Sequence, residues 1–251
     1  MRNLKLVIEY DGGKFSGFQA QPDEITVQGE LERSLHRLTG ERVRLTGAGR
    51  TDSGVHALSQ TVNFKTNSRL SVIDIKRALN SVLRHIVVND VKVVSASFDS
   101  RKSAKEREYV YLVYCGEVMP VLLSGRACHV RGKLNIGRMR KASAALLGKH
   151  DFSSFCAKDR IRKDCRKALK RIQIGIKPIR FFGHTYRMVY FRFIAGGFLW
   201  KMVRFMVGTL IKVGLGKIGP AAVKKIIAAK DNRMAGPVAP AHGLYLTRIS
   251  Y

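Results

Sequence analysis

Three amphipathic segments, each preceded by a residue that can cap a helix, alternate with β-rich segments along the chain. The capping residues are Thr26, Ser71 and Asn135, and apolar side chains follow each of them at helical spacing. No helix lies as a regular crossover between parallel strands, so the order of elements predicts an α+β fold with a mostly antiparallel sheet. In the first half, the predicted strands are Leu4 to Tyr10, Gln60 to Thr66, Val91 to Phe98 and Glu108 to Cys115.

The second half of the chain repeats this mixture of strands and helices. The stretch from Gly116 to Arg126 is the predicted boundary, which gives two similar α+β halves, residues 1–115 and 116–251. The other predicted elements are strands over Ala168 to Ile176 and Thr185 to Ile194, separated by Pro178 and Gly183, a helix over Phe198 to Val213, a helix opened by Gly219-Pro220, and a closing strand over Leu244 to Ile249.

The charge balance predicts a polyanionic partner. Lysine and arginine number 46 and aspartate and glutamate 18, so the formal net charge is +28 and the pI is about 10.5. Nucleic acid is the commonest partner of so basic a chain, and an acidic membrane surface is the second. Basic residues are spread along the chain, with a local cluster from Lys158 to Arg171. A broad positive surface therefore fits better than a basic tail, and a solvated surface without any partner is the alternative.

Hydrophobic composition and the start of the chain indicate the protein class. Hydrophobic residues make up 45% of the 251 residues, enough to bury a core. No apolar run approaches the roughly 18 residues of a membrane span, because charges interrupt even the richest stretch, Phe193 to Val213. The chain becomes acidic at Glu9 before a signal-peptide core forms. We therefore expect a cytoplasmic protein that does not associate with membranes.

Cysteine and histidine spacing gives no metal signature. The four cysteines include no C-x-x-C pair, and the seven histidines include neither H-x-x-x-H nor H-E-x-x-H. We expect reduced thiols and no metal site.

The stretch from Gly47 to Ala57 has the residue types of a catalytic loop. Its glycines permit unusual backbone angles and the close approach of a ligand. Arg50 lies two residues before Asp52, and a guanidinium nearby lowers the pKa of a carboxyl group and keeps it ionised. An ionised aspartate is the form required for nucleophilic catalysis at a sugar carbon. A surface turn with an exposed arginine–aspartate pair would have the same sequence features.

Two tyrosines in the strand around Val110 form a second candidate. Tyr109 and Tyr111 point to the same face of a strand, where an aromatic ring can stack on an unpaired base. Packing in the core is the alternative.

The stretch from Gly197 to Gly208 is the third candidate. On the predicted helix, Lys201, Arg204, Gly208 and Lys212 lie near one stripe, and the other faces are almost entirely apolar. A buried helix with a stripe directed at a carboxylate or phosphate is one interpretation, and a solvated stripe is the other.

Together these stretches resemble the TruA family of tRNA pseudouridine synthases over nearly the whole chain. The shared motifs, in order, are Tyr10-Asp11-Gly12, Gly17-Phe18-Gln19, Val27-Gln28, Leu31-Glu32, Ala48 to Ala57, Tyr109-Val110-Tyr111, Asp151 to Phe155, Met202-Val203-Arg204, Ala229-Lys230-Asp231 and Gly243 to Leu246.

The resemblance implies an isomerase that converts uridine to pseudouridine at positions 38, 39 and 40 of the tRNA anticodon stem-loop. It implies that Asp52 is the nucleophile, acting through either a covalent adduct or a glycal-like species. Arg50 and Arg204 would pair with Asp52 or with phosphate, and Tyr109 would stack on the uracil and could be the base at C5. The resemblance implies no cofactor and no metal.

For the fold, the resemblance implies two α+β halves that share an antiparallel sheet with a catalytic cleft between them, and a homodimer. Two other functions remain possible from the residues alone. A non-catalytic RNA-binding protein would have the same charge, although the intact Arg50-Thr51-Asp52 sequence argues against it. A glycoside-cleaving enzyme would need a second placed acid, and the acids near these motifs do not supply one clearly.

Overall fold

The computed structural model describes residues 1–157 and 164–251, and the chain divides into two compact units. The first unit is Met1–Lys105 together with Tyr245–Tyr251, and the second is Glu106–Leu244. The halves predicted from the sequence differ from these units by strand Glu106–Cys115 and by the last segment. Part of the predicted basic cluster, residues 158–163, lies outside the described residues.

Within the described ranges, the structure has ten strands and five α-helices. In chain order they are β1 (Arg2–Tyr10), α1 (Val27–Thr39), β2 (Thr46–Gly47), β3 (His56–Thr66), α2 (Val72–Val82), β4 (Ile86–Val94), β5 (Glu106–Cys115), β6 (Cys128–Val130), α3 (Ile136–Ser143), β7 (Gly148–Asp151), β8 (Arg166–Phe181), β9 (His184–Ala195), α4 (Met202–Gly214), α5 (Ala222–Ala229) and β10 (Leu244–Ser250). None of the described helices is long and apolar enough to span a bilayer.

The first unit is a sheet in the order β4-β1-β3-β10, with two helices. Strand β1 pairs antiparallel with β3 and β4, β2 pairs with β3, and β10 runs parallel to β3. Alternate residues of β1 form one buried face: Leu4, Leu6 and Ile8. The apolar faces of α1 and α2 are buried as well, so the core of this unit combines one sheet face with two helix faces.

Side-chain caps start three helices at the predicted residues. The side chains of Thr26, Ser71 and Asn135 each accept a hydrogen bond from the backbone N–H three residues further on. Helix α1 ends at Gly40, whose left-handed backbone (φ 73°) follows the last turn. The predicted caps and the predicted stop at Gly40 are confirmed. They could be predicted because a helix cap depends on only a few neighbouring residues.

The predicted strand over Val91 to Phe98 was placed too far along the chain, since β4 covers Ile86–Val94. The pair Asn89-Asp90 is typical of a turn. In the structure, a register shift between Val7 and Ile8 of β1 leaves Asn89 as the extra residue of a bulge. The side chain of Asn80 in α2 both donates to and accepts from the backbone of Val88, and so it holds β4 to the helix.

The second unit is a sheet in the order β6-β5-β9-β8-β7. The β5–β6 pair is parallel, and β5–β9, β9–β8 and β8–β7 are antiparallel. Its core includes Tyr111 of β5, Phe191 and Phe193 of β9, and most of α4. Mixed helices and mostly antiparallel strands in both units confirm the predicted α+β class.

Two boundaries in this unit differ from the prediction. Helix α4 begins at Met202 rather than Phe198, because Lys201 has a left-handed backbone (φ 59°) that an α-helix cannot include. Strand β8 continues through Pro178 to Phe181, and the turn lies at Phe182-Gly183. Proline is tolerated there because it can direct its nitrogen away from the neighbouring strand.

Close packing explains a glycine inside α4. A Cβ added to Gly208 would lie 1.8 Å from the carbonyl oxygen of Pro237, which is backbone and cannot move aside cheaply. The residue that the sequence placed in a basic stripe therefore lets a neighbouring segment approach the helix.

We expect Gly208→Ala to lower the free energy of unfolding by about 1–3 kcal/mol through overpacking. Gly137→Ala, at an exposed position in α3 where an added Cβ meets only a side-chain oxygen at 3.4 Å, is the matched control. It should raise stability by about 0.5–1 kcal/mol through helix propensity. Urea unfolding of both variants tests this, and changes of the same sign would contradict it.

Candidate active site

The loop between β2 and β3 carries two of the predicted site residues. Arg50 is exposed, Thr51 is buried and Asp52 is partly exposed. This alternation directs the middle side chain into the first unit and the two charged side chains toward its surface. The structure thus places Arg50 and Asp52 together in one loop of this unit, as the sequence predicts.

Thr51 holds the loop at the residue before Asp52. Its hydroxyl is hydrogen-bonded to the hydroxyl of Tyr10, at the end of β1, with an oxygen–oxygen distance of 2.7 Å in a buried position. Its carbonyl accepts a hydrogen bond from the N–H of Phe18 at 3.1 Å. The hydroxyl and the carbonyl of Thr51 therefore bind elements that are distant in sequence, and these bonds fix the residue directly before Asp52.

Further hydrogen bonds hold the loop on either side of Thr51. The side-chain amide of Gln60 donates to the carbonyl of Gly49 at 2.7 Å, and the hydroxyl of Ser53 donates to the carbonyl of Phe15 at 3.3 Å. The N–H of Val55 donates to the carbonyl of Asp52 at 3.1 Å and closes a tight turn. The backbone around Asp52 is thereby determined, and such order is what a positioned catalytic group needs.

Gly12 allows a second segment to approach the loop. An added Cβ at Gly12 would lie 2.0 Å from the carbonyl oxygen of Val55, so no other residue fits without displacing backbone. Its N–H donates to Nδ1 of His56 at 3.1 Å, and the oxygen Oδ1 of Asp11 lies 3.2 Å from the same nitrogen. The buried His56 ring also stacks on Tyr245 of β10, with ring centroids 4.8 Å apart.

Burial raises the pKa of Tyr10 to about 12, and the hydrogen bond with Thr51 opposes this in part. The hydroxyl therefore stays protonated at neutral pH. It acts as a hydrogen-bonding partner for Thr51 and not as a charged group.

The second unit contains the candidate tyrosines. Tyr109 of β5 is 8% exposed, and its ring meets the edge of Phe198 with centroids 5.2 Å apart at 89°. Tyr111 is fully buried, its hydroxyl donates to the carbonyl of Pro240 at 2.8 Å, and burial raises its pKa strongly. Tyr111 is thus a core residue, which leaves Tyr109 as the candidate for substrate contact.

Arg204, in the first turn of α4, is tied to one backbone segment of this unit. Its Nε donates to the carbonyl of Ala239 at 2.7 Å, and the N–H of Ala239 donates to the carbonyl of Arg204 at 3.1 Å. The reciprocal pair gives the guanidinium a defined direction. Lys201, one turn earlier in the predicted stripe, lies over the ring of Trp200 with its Nζ 4.2 Å from the centroid.

Sequence reasoning missed the residues that support these candidates. Tyr10, Thr51 and Gln60 hold the Asp52 loop, and Phe198 packs against Tyr109. Gln60 gives no clear signal, because its strand also contains Thr61, Asn63 and Lys65. Only its burial in the structure shows that it needs a polar partner.

No group of three or more metal-binding side chains occurs in the ranges that the structure describes. Burial raises the pKa of both the Cys115 and the Cys128 thiol, so these two stay protonated. A cavity of about 690 Å³ lies in the first unit beside α1, lined by residues that include Glu24, Glu32 and Arg42. None of the predicted site residues lines this cavity.

Comparisons with known proteins give the same family over most of the chain. A family model described as tRNA pseudouridine synthase matches residues 6–101 and 142–251. The tRNA pseudouridine synthase A of Geobacillus kaustophilus is 41% identical over 252 residues, covering 100% of this chain and 95% of the relative. Proteins of the same name from Acetivibrio thermocellus and Brevibacillus brevis are each 40% identical, with 100% of both chains covered. A solved archaeal box H/ACA sRNP complex is similar over 83% of this chain and 44% of its own, at 14% identity and a TM-score of 0.35, too low to support an argument.

Tyr10→Phe removes the hydroxyl that holds Thr51, and we expect it to lower the free energy of unfolding by about 0.5–1.5 kcal/mol at pH 7. The raised pKa adds a pH dependence. Protonated Tyr10 stabilises the fold fully below pH 10, where the unfolded chain also keeps its proton. This stability falls as pH rises from about 10 to 12, by roughly 1.4 kcal/mol per pH unit.

The phenylalanine variant lacks that loss, so the stability difference between wild type and variant should shrink between pH 10 and 12. Urea unfolding at pH 7 and pH 11 measures it. Tyr186→Phe, at a half-buried tyrosine of β9, is the control for removing a hydroxyl. A difference for Tyr10→Phe that is the same at both pH values would disprove the assignment.

Proposed function

The chain belongs to the tRNA pseudouridine synthase family, and we propose that this isomerase of tRNA uridine acts at positions 38, 39 and 40 of the anticodon stem-loop. The observation that carries the proposal is the loop around Asp52. It presents a partly exposed carboxylate from a backbone that hydrogen bonds hold on both sides. The motif match over Ala48 to Ala57 supports the choice of Asp52 as the nucleophile.

The reaction conserves every atom of the substrate. The bond between N1 of uracil and C1′ of ribose breaks, the base turns, a bond forms between C5 and C1′, and the proton on C5 is lost while N1 gains one. We propose that the Asp52 carboxylate acts at the ribose, either as a nucleophile that forms a covalent adduct or through a glycal-like species. The net change needs no oxidant, no metal and no second substrate.

Two arginines are proposed to contact the anionic substrate. Arg50 lies two residues from Asp52 at an exposed position, where a guanidinium can pair with a carboxylate or bind a phosphate. Arg204 is held through its Nε by the carbonyl of Ala239, which supports a phosphate-binding role for the directed guanidinium.

Tyr109 is proposed to stack on the target uracil and to remove the proton from C5. Its contact with the edge of Phe198 restricts the ring, and a restricted ring pays less entropy when a base stacks on it. The target base must first leave its stack, which costs a few kcal/mol. Phosphate contacts of a chain with a net charge of +28 can offset that cost.

We also propose that the enzyme works as a homodimer in the cytoplasm. Both features follow from the family resemblance and from a tRNA substrate. Sedimentation equilibrium of the purified protein tests the first, and localisation of a tagged copy tests the second.

Asp52→Asn should abolish pseudouridine formation while tRNA binding changes less than about threefold, because the amide keeps the shape of the side chain but cannot act as a nucleophile. Asp90→Asn, at an exposed carboxylate of β4 paired with Lys92, is the matched control and should retain activity. The measurement is pseudouridine mapping on tRNA from cells that lack the gene and express each variant. Turnover by purified Asp52→Asn would remove this residue from the mechanism, and pseudouridine elsewhere than 38–40 would refute the proposed positions.

Two variants of Tyr109 separate its two proposed roles. Tyr109→Phe keeps the ring and loses the hydroxyl, so it should slow the step after glycosidic cleavage by about 10²–10⁴-fold if the hydroxyl is the base. Tyr109→Leu also loses stacking, which should weaken the reactive complex by a further 1–3 kcal/mol, roughly. Single-turnover rates at saturating enzyme measure both. Wild-type rates and affinities in both variants would show that Tyr109 only packs in the sheet.

A further inference from the structure

Strands β8 and β9 extend beyond the rest of the second unit as an arm. Arg140 of α3 donates its Nε to the carbonyl of Ile174 at 2.7 Å and covers the edge of β8 at that point. From Pro178 to Phe181 every residue of β8 is exposed, and the ladder with β9 continues to the pair Phe181–His184. Tyr186 of β9, which pairs with Ile179, still packs against the core residues Leu123 and Met188, so the projecting part is the last two pairs and the turn, roughly 7 Å at about 3.4 Å per residue.

The tip of this arm carries two aromatic rings. Phe182 is 91% exposed and Phe181 is 52% exposed, and their rings meet edge to face with centroids 4.9 Å apart. Large apolar side chains grouped at a projecting turn are typical of a binding surface. Nothing in the folding of the arm requires phenylalanine at Phe182, because the side chain is almost fully in solvent.

The residues around the two rings are basic. Neither β8 nor β9 contains an acidic residue, and the distal ladder contains Arg180, His184 and Arg187. Pairing puts Phe181 and His184 on one face of the ladder and both Arg180 and Arg187 on the other, so the two arginines lie together beside the aromatic turn. This charge is complementary to a polyanion that also offers flat apolar surfaces, which is the chemistry of unpaired nucleotides.

Pro178 argues against pairing of the arm's edge with another strand. A two-residue turn makes Phe181 and His184 a hydrogen-bonded pair, and pairs alternate along an antiparallel ladder, so Pro178 lies at a non-hydrogen-bonded pair. Its nitrogen therefore faces the open edge and offers no donor to an added strand. Contact through the aromatic tip remains the favoured use of the arm.

We propose that the tip of the β8–β9 arm is an RNA-binding element, in which Phe181 and Phe182 stack on unpaired bases of the tRNA while Arg180 and Arg187 bind its phosphates. The inference rests on the proposed function in taking tRNA as the substrate. It adds a binding surface to that function and assigns no chemical role to the arm.

The test compares tRNA affinity and its salt dependence for two double variants of the full chain. Phe181→Ala with Phe182→Ala should raise the Kd for unmodified tRNA by about 5- to 100-fold and leave the slope of log Kd against log salt unchanged, because stacking releases few counterions. Arg180→Ala with Arg187→Ala should reduce that slope by about 1–2, because up to two phosphate contacts are lost.

Controls isolate the aromatic contribution. Phe181→Tyr with Phe182→Tyr keeps both rings and should bind as wild type, whereas Phe181→Leu with Phe182→Leu keeps apolar surface and should bind weakly. Val121→Ala, at a side chain that is 87% exposed in the same unit but off the arm, should change nothing. Leucine variants with wild-type affinity would overturn the stacking assignment.

Two further measurements test other partners of the arm. If the alanine variant loses binding to phosphatidylglycerol vesicles but keeps tRNA affinity, the arm is a membrane contact and the proposal is wrong. If it changes the sedimentation mass and not the tRNA affinity, the arm contacts a second copy of the chain and the proposal is again wrong. Pseudouridine formation by the wild type is assayed in parallel. Its absence would refute the proposed function, whereas unchanged tRNA affinity in an active aromatic variant would refute the arm alone.

Discussion

The hydrogen bonds of Thr51 are the constraint on which the candidate site depends. A catalytic carboxylate has to be partly exposed, and exposed loops are normally the least ordered part of a fold. Here the residue before Asp52 is buried, and its hydroxyl and carbonyl bind Tyr10 and Phe18. The order of the loop thus comes from β1 and from the segment before α1. Two sequence motifs about 40 residues apart thus form a single hydrogen-bonded structure.

Much of the fold could be predicted where a few adjacent residues determine it. The caps at Thr26, Ser71 and Asn135 and the stop at Gly40 depend on local geometry, and these helices begin where the sequence indicates. The predicted bounds of elements were wrong where contacts between residues distant in sequence determine the local backbone. The bulge that admits Asn89 into β4 requires β1 as its partner, and the left-handed backbone of Lys201 has no signal in the sequence.

The sequence indicates which chemical groups the candidate site contains, but not which residues hold them in place. Charge, glycines and a carboxylate are visible in the stretch around Asp52, and the catalytic role of that stretch stays a prediction. The partners of Thr51 could not be predicted from the sequence, since the hydrogen bond between its hydroxyl and that of Tyr10 spans 41 positions of the chain. The sequence also could not show which of Tyr109 and Tyr111 is fully buried. The alternation of side chains in a strand puts both on one face but does not tell what covers that face. Only the structure separates the fully buried ring from the one that contacts Phe198.

The first unit is discontinuous in sequence, and this has a consequence for the order in which it is made. Strand β10 pairs with β3 and places Tyr245 on the ring of His56, four residues from Asp52. The N–H of Lys105 also donates to the carbonyl of Ser250 at 2.8 Å. During translation, the first 105 residues leave the ribosome long before these partners are synthesised. The first unit of a nascent chain, which contains the loop around Asp52, therefore lacks β10 until the second unit has been synthesised.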